Sequence, residues 1–465
     1  MNLQRDQQGS PFLSIALLSV GPIIAQLCYS LSGIVNSIWV ARALGTEALS
    51  ALALYTFADN LVQSFGYLMH RIASVVISGK LAASQDAGQI ICDLVRCTFL
   101  WSMLIPAVFL PSAQPIGRWF LASDSTIRLG FDYCIPKLAL SFVPSLLRLG
   151  CGCLVAEGRS LLVAAIHIAV FVAGSLVLDP LFLLVFRWGI LGSAFAHVIA
   201  QAVPVVLIYS SFFRGRMTVK PVITGFLKPL DAATLTAMKI GLLMVLGAVC
   251  ETLSGILIRK YISEAARASS SYTEIMAGYG AVLKIWSVTH GVQMGWSMGV
   301  LPVCSRAFAA QNYSRWFASL GAGVIVNFAW GLLWMLLLYF FPRFFAALIS
   351  KDEGFLGAAE RMLPVYNIES ALGWAKLTAI TVLQSVQTLP KAGLYNIVGA
   401  IVGGIGGATA LFLTNRRDWA RLMYAGAISN GFACLVGAVL CAFPIASNLR
   451  KLREIQECFT RHTGQ

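Results

Sequence analysis

The stretch LLVAAIHIAVFVAGSLVLDPLFLLVF, residues 161–186, contains one carboxylate, one histidine and no lysine or arginine. A helix of this length, rising 1.5 Å per residue, is long enough to cross a hydrocarbon core of about 30 Å. It reads as one transmembrane helix, and the chain on either side repeats the pattern. Working outward, the earlier runs are Phe12–Val40, Leu49–Leu81, Ile90–Leu110 and Ile127–Val155, and Ile190–Phe213 follows. The second half gives Leu235–Ile262, Tyr272–Ala309, Phe317–Phe341, Leu356–Gln384, Ala392–Leu413 and Leu422–Phe443. The chain is therefore expected to be an all-α membrane protein of about twelve spans. Composition agrees: 58% of the residues are hydrophobic, 12% are charged and the mean hydropathy is +0.77, whereas soluble domains carry about 25% charged residues. The first run is too long for the apolar core of a signal peptide and no small-residue cleavage site follows it, so a retained span after a start near Met1 is expected.

The two halves look like copies. Segments match at an offset of about 225–231 residues. Gly66-Tyr-Leu-Met69 and Ser78-Gly-Lys-Leu-Ala-Ala83 in the second run are echoed by Gly291-Val-Gln-Met294 and Ser305-Arg-Ala-Phe-Ala-Ala310 in the eighth. Leu181-Phe-Leu183 returns as Leu411-Phe-Leu413. An even number of spans per half makes the repeats parallel, related by a pseudo-two-fold axis along the membrane normal. The expected organisation is a six-helix lobe over 1–213, a basic linker over 214–234, a second six-helix lobe over 235–447 and a tail over 448–465, with a cleft between the lobes.

The net charge of +14 is scattered over span ends without a basic domain, which argues against nucleic acid as a partner. Arg214, Arg216, Lys220 and Lys228 in the linker and Arg450, Lys451 and Arg453 in the tail place both termini on the cytoplasmic side. Arg259, Lys260, Arg416 and Arg417 are read as belonging to opposite loops. Eleven cysteines lie mostly inside spans with no C-x-x-C pair, so they read as small packing residues rather than metal ligands.

Around the fifth and sixth runs the residues become more specific. Leu178-Asp-Pro-Leu-Phe182, Trp188-Gly189, Gly192-Ser-Ala-Phe-Ala196 and Gln201 resemble the multidrug and toxic compound extrusion (MATE) family of the MOP flippase superfamily. In that family an Asn-x-x-x-Asp-Pro-Leu-Phe ending is followed by Gly-x-x-Gly-Ala-Ala. Pro22 through Val35-Asn36, Ala43-Leu-Gly45 and Ala48 look like its first span and loop, and Val300-Leu-Pro302 through Arg315 like its eighth. The resemblance implies secondary active efflux of organic cations and other drugs by alternating access. It also implies a first-lobe cation site built from an Asp on span one, a Tyr on span four, an Asn and an Asp on span five, and a Thr on span six. The matching positions here are Asn36, Tyr133, Ser175, Asp179 and His197.

Charges inside a membrane are functional candidates, because an unpaired one at mid-depth costs several kcal/mol. By depth, Asn36, Tyr133, Asp179 and His197 share one layer, with Asp59 slightly deeper. One carboxylate fewer and one imidazole more weaken a Na⁺ site, which favours coupling to H⁺. Lys137, one turn from Tyr133, is expected to face Asp179 as a charge partner. In the second lobe Glu251 matches the Glu of span seven in the family, with Lys284 as its expected partner. Glu369 and Lys376 share a face of span ten. His70, Arg71, Arg96 and Arg148 read as snorkelling or interfacial residues.

The favoured function is thus proton-coupled antiport of small, cationic, amphipathic compounds by a monomer in the plasma membrane. Asp179 and Glu251 are its expected principal titratable groups, and no cofactor or metal is needed beyond the ion gradient. The alternative within transport is a flippase for a lipid-linked or amphipathic substrate. A membrane enzyme using His197 or His290 as a base lacks an accompanying nucleophile or metal constellation, and no G-x-x-x-x-G-K-[ST] motif supports a pump.

Overall fold

Gly45 divides the first long helix, α1 (Pro11–Ala82), into the first two expected spans. Its φ of 81° lies in a region that a residue with a Cβ enters only at a cost. The computed structural model describes residues 10–82, 85–267, 271–386 and 389–463. The start near Met1 and the end of the first repeated segment at Ala83 lie outside these residues.

After α1 come α2 (Gly88–Trp119), α3 (Asp124–Ala139), α4 (Phe142–Ala156), α5 (Ser160–Phe171) and α6 (Gly189–Phe213). The second half contains α7 (Ala232–Arg267), α8 (Tyr272–Ala309), α9 (Tyr313–Phe340), the short α10 (Pro342–Ala347), α11 (Glu353–Tyr366), α12 (Ile368–Ser385), α13 (Leu389–Val398), α14 (Gly407–Thr414) and α15 (Ala425–Thr463). With α3–α4, α11–α12 and α13–α14 each read as one broken passage, the described residues form the twelve-helix fold expected.

Irregularities recur at equivalent places in the two halves. The fourth passage breaks by 46° between α3 and α4, just after Pro136. The tenth breaks between α11 and α12, just after Pro364. A proline in a helix removes one hydrogen bond and crowds the preceding turn, so each of these passages carries a weakened turn near its break. The fifth passage widens to a π-helix over Val172–Leu178, and the eleventh does so over Gly399–Gly406. These pairs fall within the offset of about 225–231 residues found in the sequence, so the duplication is also visible in the backbone.

Seven helices, or eight with the bent α3–α4 pair, are long and apolar enough to span a membrane among the described residues. The passages outside that set include α7, α8 and α12, which carry Glu251, Arg259, Lys284, Glu369 and Lys376. A polar residue at membrane depth is tolerated where it packs against protein or lines a water-filled cavity rather than facing lipid. The chain is a multi-pass integral membrane protein.

Two sequence boundaries move. Helix α7 runs on to Arg267, so Arg259 and Lys260 are not loop residues but buried helical ones, 3% and 8% exposed. Helix α15 continues from Ala425 through the expected tail to Thr463.

The lobes meet mainly where α1, on both sides of Gly45, packs along α8. Gly280, Gly291 and Gly295 of α8 lie against Ala53, Ser30 and Ile23, close enough that an added Cβ would press on them. At the end of the molecule opposite the termini, Lys260 Nζ and Ser263 Oγ of α7 donate to the carbonyls of Trp119 and Phe120, and Tyr272 OH donates to Phe120 O at 3.1 Å. These carbonyls end α2, where a helix has no internal donors left.

The linker is tethered to the first lobe. Arg96 donates to the carbonyls of Phe226 and Lys228, both at 2.9 Å, and Gln89 to that of Gly225 at 3.0 Å. Asp231 N donates to Asp93 Oδ2 at 2.8 Å, Val219 N donates to Glu157 at 2.8 Å, and Lys80 pairs with Asp231 at 2.7 Å. Arg96 therefore does not snorkel: its guanidinium fastens the linker.

Candidate functional site

The widened turn at Val172–Leu178 and Pro180 after it set the backbone around Asp179. π-Helical turns displace side chains from the regular helical progression and often mark functional sites. Gly174 lets this turn approach α6 closely, since an added Cβ would stand 3.1 Å from that of Ala200. Asp179 has no exposed surface, and its Oδ2 receives Asn36 Nδ2 at 3.2 Å and His197 Nε2 at 3.3 Å. Asn36 Nδ2 also donates to Ser193 Oγ. His197 Nδ1 lies 3.4 Å from Ser32 Oγ, which in turn contacts Ser175 Oγ. The other carboxylate oxygen, Oδ1, is buried with no hydrogen-bond partner among the described residues.

Four of the five positions implied by the resemblance thus meet: Asn36, Ser175, Asp179 and His197. Tyr133 does not join them. Its hydroxyl donates to Asp59 Oδ2 at 2.8 Å, and Lys137 pairs with Asp59 Oδ1 at 3.1 Å. The expected partnership of Lys137 with Asp179 is therefore corrected, because the face that α3 turns inward meets α1 at Asp59. A cavity lined by Asp59, Gln63, Lys137, His197 and Gln201 connects the two groups.

The second lobe requires a similar correction. Glu251 is held by Lys376 Nζ, not by Lys284. Glu369 receives Asn430 Nδ2 at 3.2 Å. Glu369 and Lys376 do face the same region, as their spacing on one helix suggested, and both act electrostatically on each other. Lys284 instead reaches across to the first lobe, with its side chain against Gly33 of α1. His290 stacks on Trp286 with ring centroids 4.7 Å apart.

Arg148 also departs from expectation. It is 8% exposed, with its guanidinium 4.2 Å from the ring centre of Tyr67, 5.5 Å from that of Tyr29, and Nε donating to Gln63 at 3.1 Å. These aromatic and amide partners remove the need to snorkel. His70 Nδ1 lies 3.1 Å from the Arg148 carbonyl, a local structural bond. Sequence reasoning missed Ser32 and Ser193. Each lies one helical turn before a residue it had selected, Asn36 and His197, so the i, i+4 relation was the available signal.

Residues 244–409 match the family MatE. The chain is similar to that family over this segment. Its fold resembles that of a multidrug resistance MATE family transporter of the MOP superfamily, seen outward-facing with a TM-score of 0.80 at 18% identity over 96% of this chain and 98% of that one. The inward-facing form of such a transporter gives 0.79 at 18% identity, over 94% and 99%. A MOP superfamily transporter from Pyrococcus furiosus, described as having a binding pocket of reverse polarity, gives 0.79 at 18% identity over 95% and 97%. Among curated proteins, the chain is 27% identical over 194 residues to Protein DETOXIFICATION 42 of Arabidopsis thaliana, covering 41% of this chain and 35% of that protein. Protein DETOXIFICATION 43 is 26% identical over 162 residues, covering 34% and 28%. The matches thus span about a third of the plant proteins' length. MATE family members are transporters of small molecules.

Proposed function

We propose that this protein is a MATE-type transporter that exports small amphipathic compounds by proton antiport, with Asp179 as the first-lobe coupling group. The observation that supports this reading is the environment of Asp179: no exposed surface, amide and imidazole partners on one oxygen, and a second oxygen unpartnered among the described residues. No lysine or arginine is bonded to this carboxylate among the described residues, which leaves it open to bind and release a proton during transport. His197, in contact with both Asp179 and Ser32, offers a route for that proton toward the cavity shared with Asp59 and Lys137. Coupling requires that the proton bind the two cleft states with different affinity, and repairing Asn36 and His197 around a protonated Asp179 supplies such a difference.

A Na⁺ site is the less favoured reading. With Tyr133 engaged by Asp59, Asp179 offers the only carboxylate of its group, and His197 brings nitrogen where Na⁺ takes oxygen. The protein operates in this reading as a monomer in the plasma membrane, both termini cytoplasmic, with lobes over 1–213 and 235–447. Glu251 serves the second lobe through its pairing with Lys376. The flippase alternative has no observation in its favour. The expected cationic substrate is supported by the acids Asp59, Glu251 and Glu369, but each of these already has a partner within the protein.

The test is flux in proteoliposomes with a pH gradient and a Na⁺ gradient imposed separately. Flux should follow the pH gradient and ignore Na⁺. Saturable stimulation by Na⁺ at fixed pH would overturn the coupling.

A further inference from the structure

Arg259 of α7 is 3% exposed and makes no hydrogen bond or ion pair among the described residues, and its Nε is buried without an acceptor. Lys284 of α8 also lacks such a partner. It reaches from the second lobe to the first, where a Cβ added at Gly33 of α1 would stand 3.2 Å from Nζ. The two cations are near enough for their charges to act on each other.

The surrounding acids are all engaged by other side chains. Asp59, the carboxylate that acts on Lys284, is bound by Lys137 at 3.1 Å and by Tyr133 at 2.8 Å. Glu369 is bonded to Asn430, and Glu251 is bonded to Lys376. An isolated buried cation carries a large desolvation penalty that only a close anion offsets. A guanidinium fork matches a carboxylate through two parallel hydrogen bonds, which a lysine cannot reproduce.

Aromatic rings stand beside these cations. Tyr279 and Tyr366 lie within electrostatic reach of Arg259 and meet edge to face with centroids 6.4 Å apart. Trp286 meets Tyr366 at 6.0 Å and carries His290 stacked on its other contact. Such rings suit an apolar or aromatic body attached to the charged group.

We infer that Arg259 and Lys284 form an anion subsite between the two lobes, and that the transported compound is a small organic carboxylate with an aromatic body. This deepens the transport reading and rests on it. It also replaces the cationic substrate expected from the sequence.

The test titrates the purified full-length protein in detergent by intrinsic tryptophan fluorescence. The probes are salicylate, its uncharged analogue salicylamide, and the aromatic cation tetraphenylphosphonium. Salicylate should bind saturably, and salicylamide about tenfold or more weaker. Arg259→Gln should weaken salicylate binding by about tenfold, Arg259→Lys by less, and Lys284→Met by a smaller factor. Size-exclusion profiles check folding. If Arg259→Gln fails to fold, Arg259→Lys and Lys284→Met decide the matter. Parental salicylate affinity in the folded variants, or tighter binding of tetraphenylphosphonium than of salicylate, overturns the subsite. Arg259-dependent binding of salicylate without flux under any gradient supports the subsite while removing the transport reading. Proton-driven flux of tetraphenylphosphonium without salicylate binding removes the subsite and leaves transport standing.

Discussion

Asp179 and Glu251 are carboxylates on long helices, one in each lobe, with very different surroundings. Asp179 has no accessible surface, and its described partners are an amide and an imidazole. The Glu251 side chain is 45% exposed and is held by the Lys376 ammonium. Glu251 thus has a cationic side chain bonded to it, whereas Asp179 has one carboxylate oxygen on an amide and an imidazole and the other without a partner among the described residues. The comparison teaches that matching depth in two duplicated lobes does not impose matching chemistry, and under the proposed proton antiport it favours Asp179 over Glu251 as the coupling group.

The largest effect expected from this contrast is on Asp179→Asn. Gradient-driven flux should fall to background with expression and folding unchanged, since the substitution keeps volume and hydrogen bonding. A parental rate with parental pH dependence would make Asp179 structural.

Next comes Asp59→Asn, which leaves the mostly buried Lys137 without its ion-pair partner. Breaking such a pair costs about 3–5 kcal/mol, so a large drop in thermal stability is expected. Adding Lys137→Met should recover most of it. If the two stability losses simply add, the pairing is not what holds this region together. A stable but inactive Asp59→Asn would instead give Asp59 a coupling role of its own.

Glu251→Gln should have a smaller effect. Its half-exposed pairing with Lys376 is worth at most about 1 kcal/mol after solvent screening, so stability should hardly move and flux should fall only a few-fold. Flux at background level would restore equivalence between the lobes. The smallest effect is on Tyr272→Phe, which removes one of three donors to the end of α2. A loss of about 0.5–1.5 kcal/mol is expected by thermal denaturation, against a larger loss for Lys260→Met, whose ammonium is mostly buried.

The run lengths, the order of spans and the duplication were legible in the sequence because apolar length and proline position determine them locally. Pro136 and Pro364 even mark the two broken passages. Depth along a helix was legible too, and it correctly grouped Asn36, Asp179 and His197. Rotation about the helix axis was not, because packing against neighbours decides it. Lys137 and Lys284 were therefore assigned to the wrong acids, although the adjacency of Tyr133 and Lys137 by one turn was sound. Arg148 shows a second limit. Snorkelling assumes that water is the best available partner, and Tyr67 and Tyr29 supply a better one within the protein.

The tethered linker bears on how the lobes can travel. A free segment over 214–234 would reach tens of ångströms when extended, at about 3.3 Å per residue. Fastened at Val219, Gly225, Phe226, Lys228 and Asp231, it has almost no slack left before α7 begins at Ala232. The start of the second lobe is thereby pinned beside Lys80 and Asp93 of the first, like a door hung close to its frame. Separation of the lobes as a whole is ruled out while these bonds hold, and what remains is rotation about that corner. Cleft opening at the far end, where Lys260, Ser263 and Tyr272 grip the end of α2, then becomes the long arm of a lever whose short arm is a single aspartate.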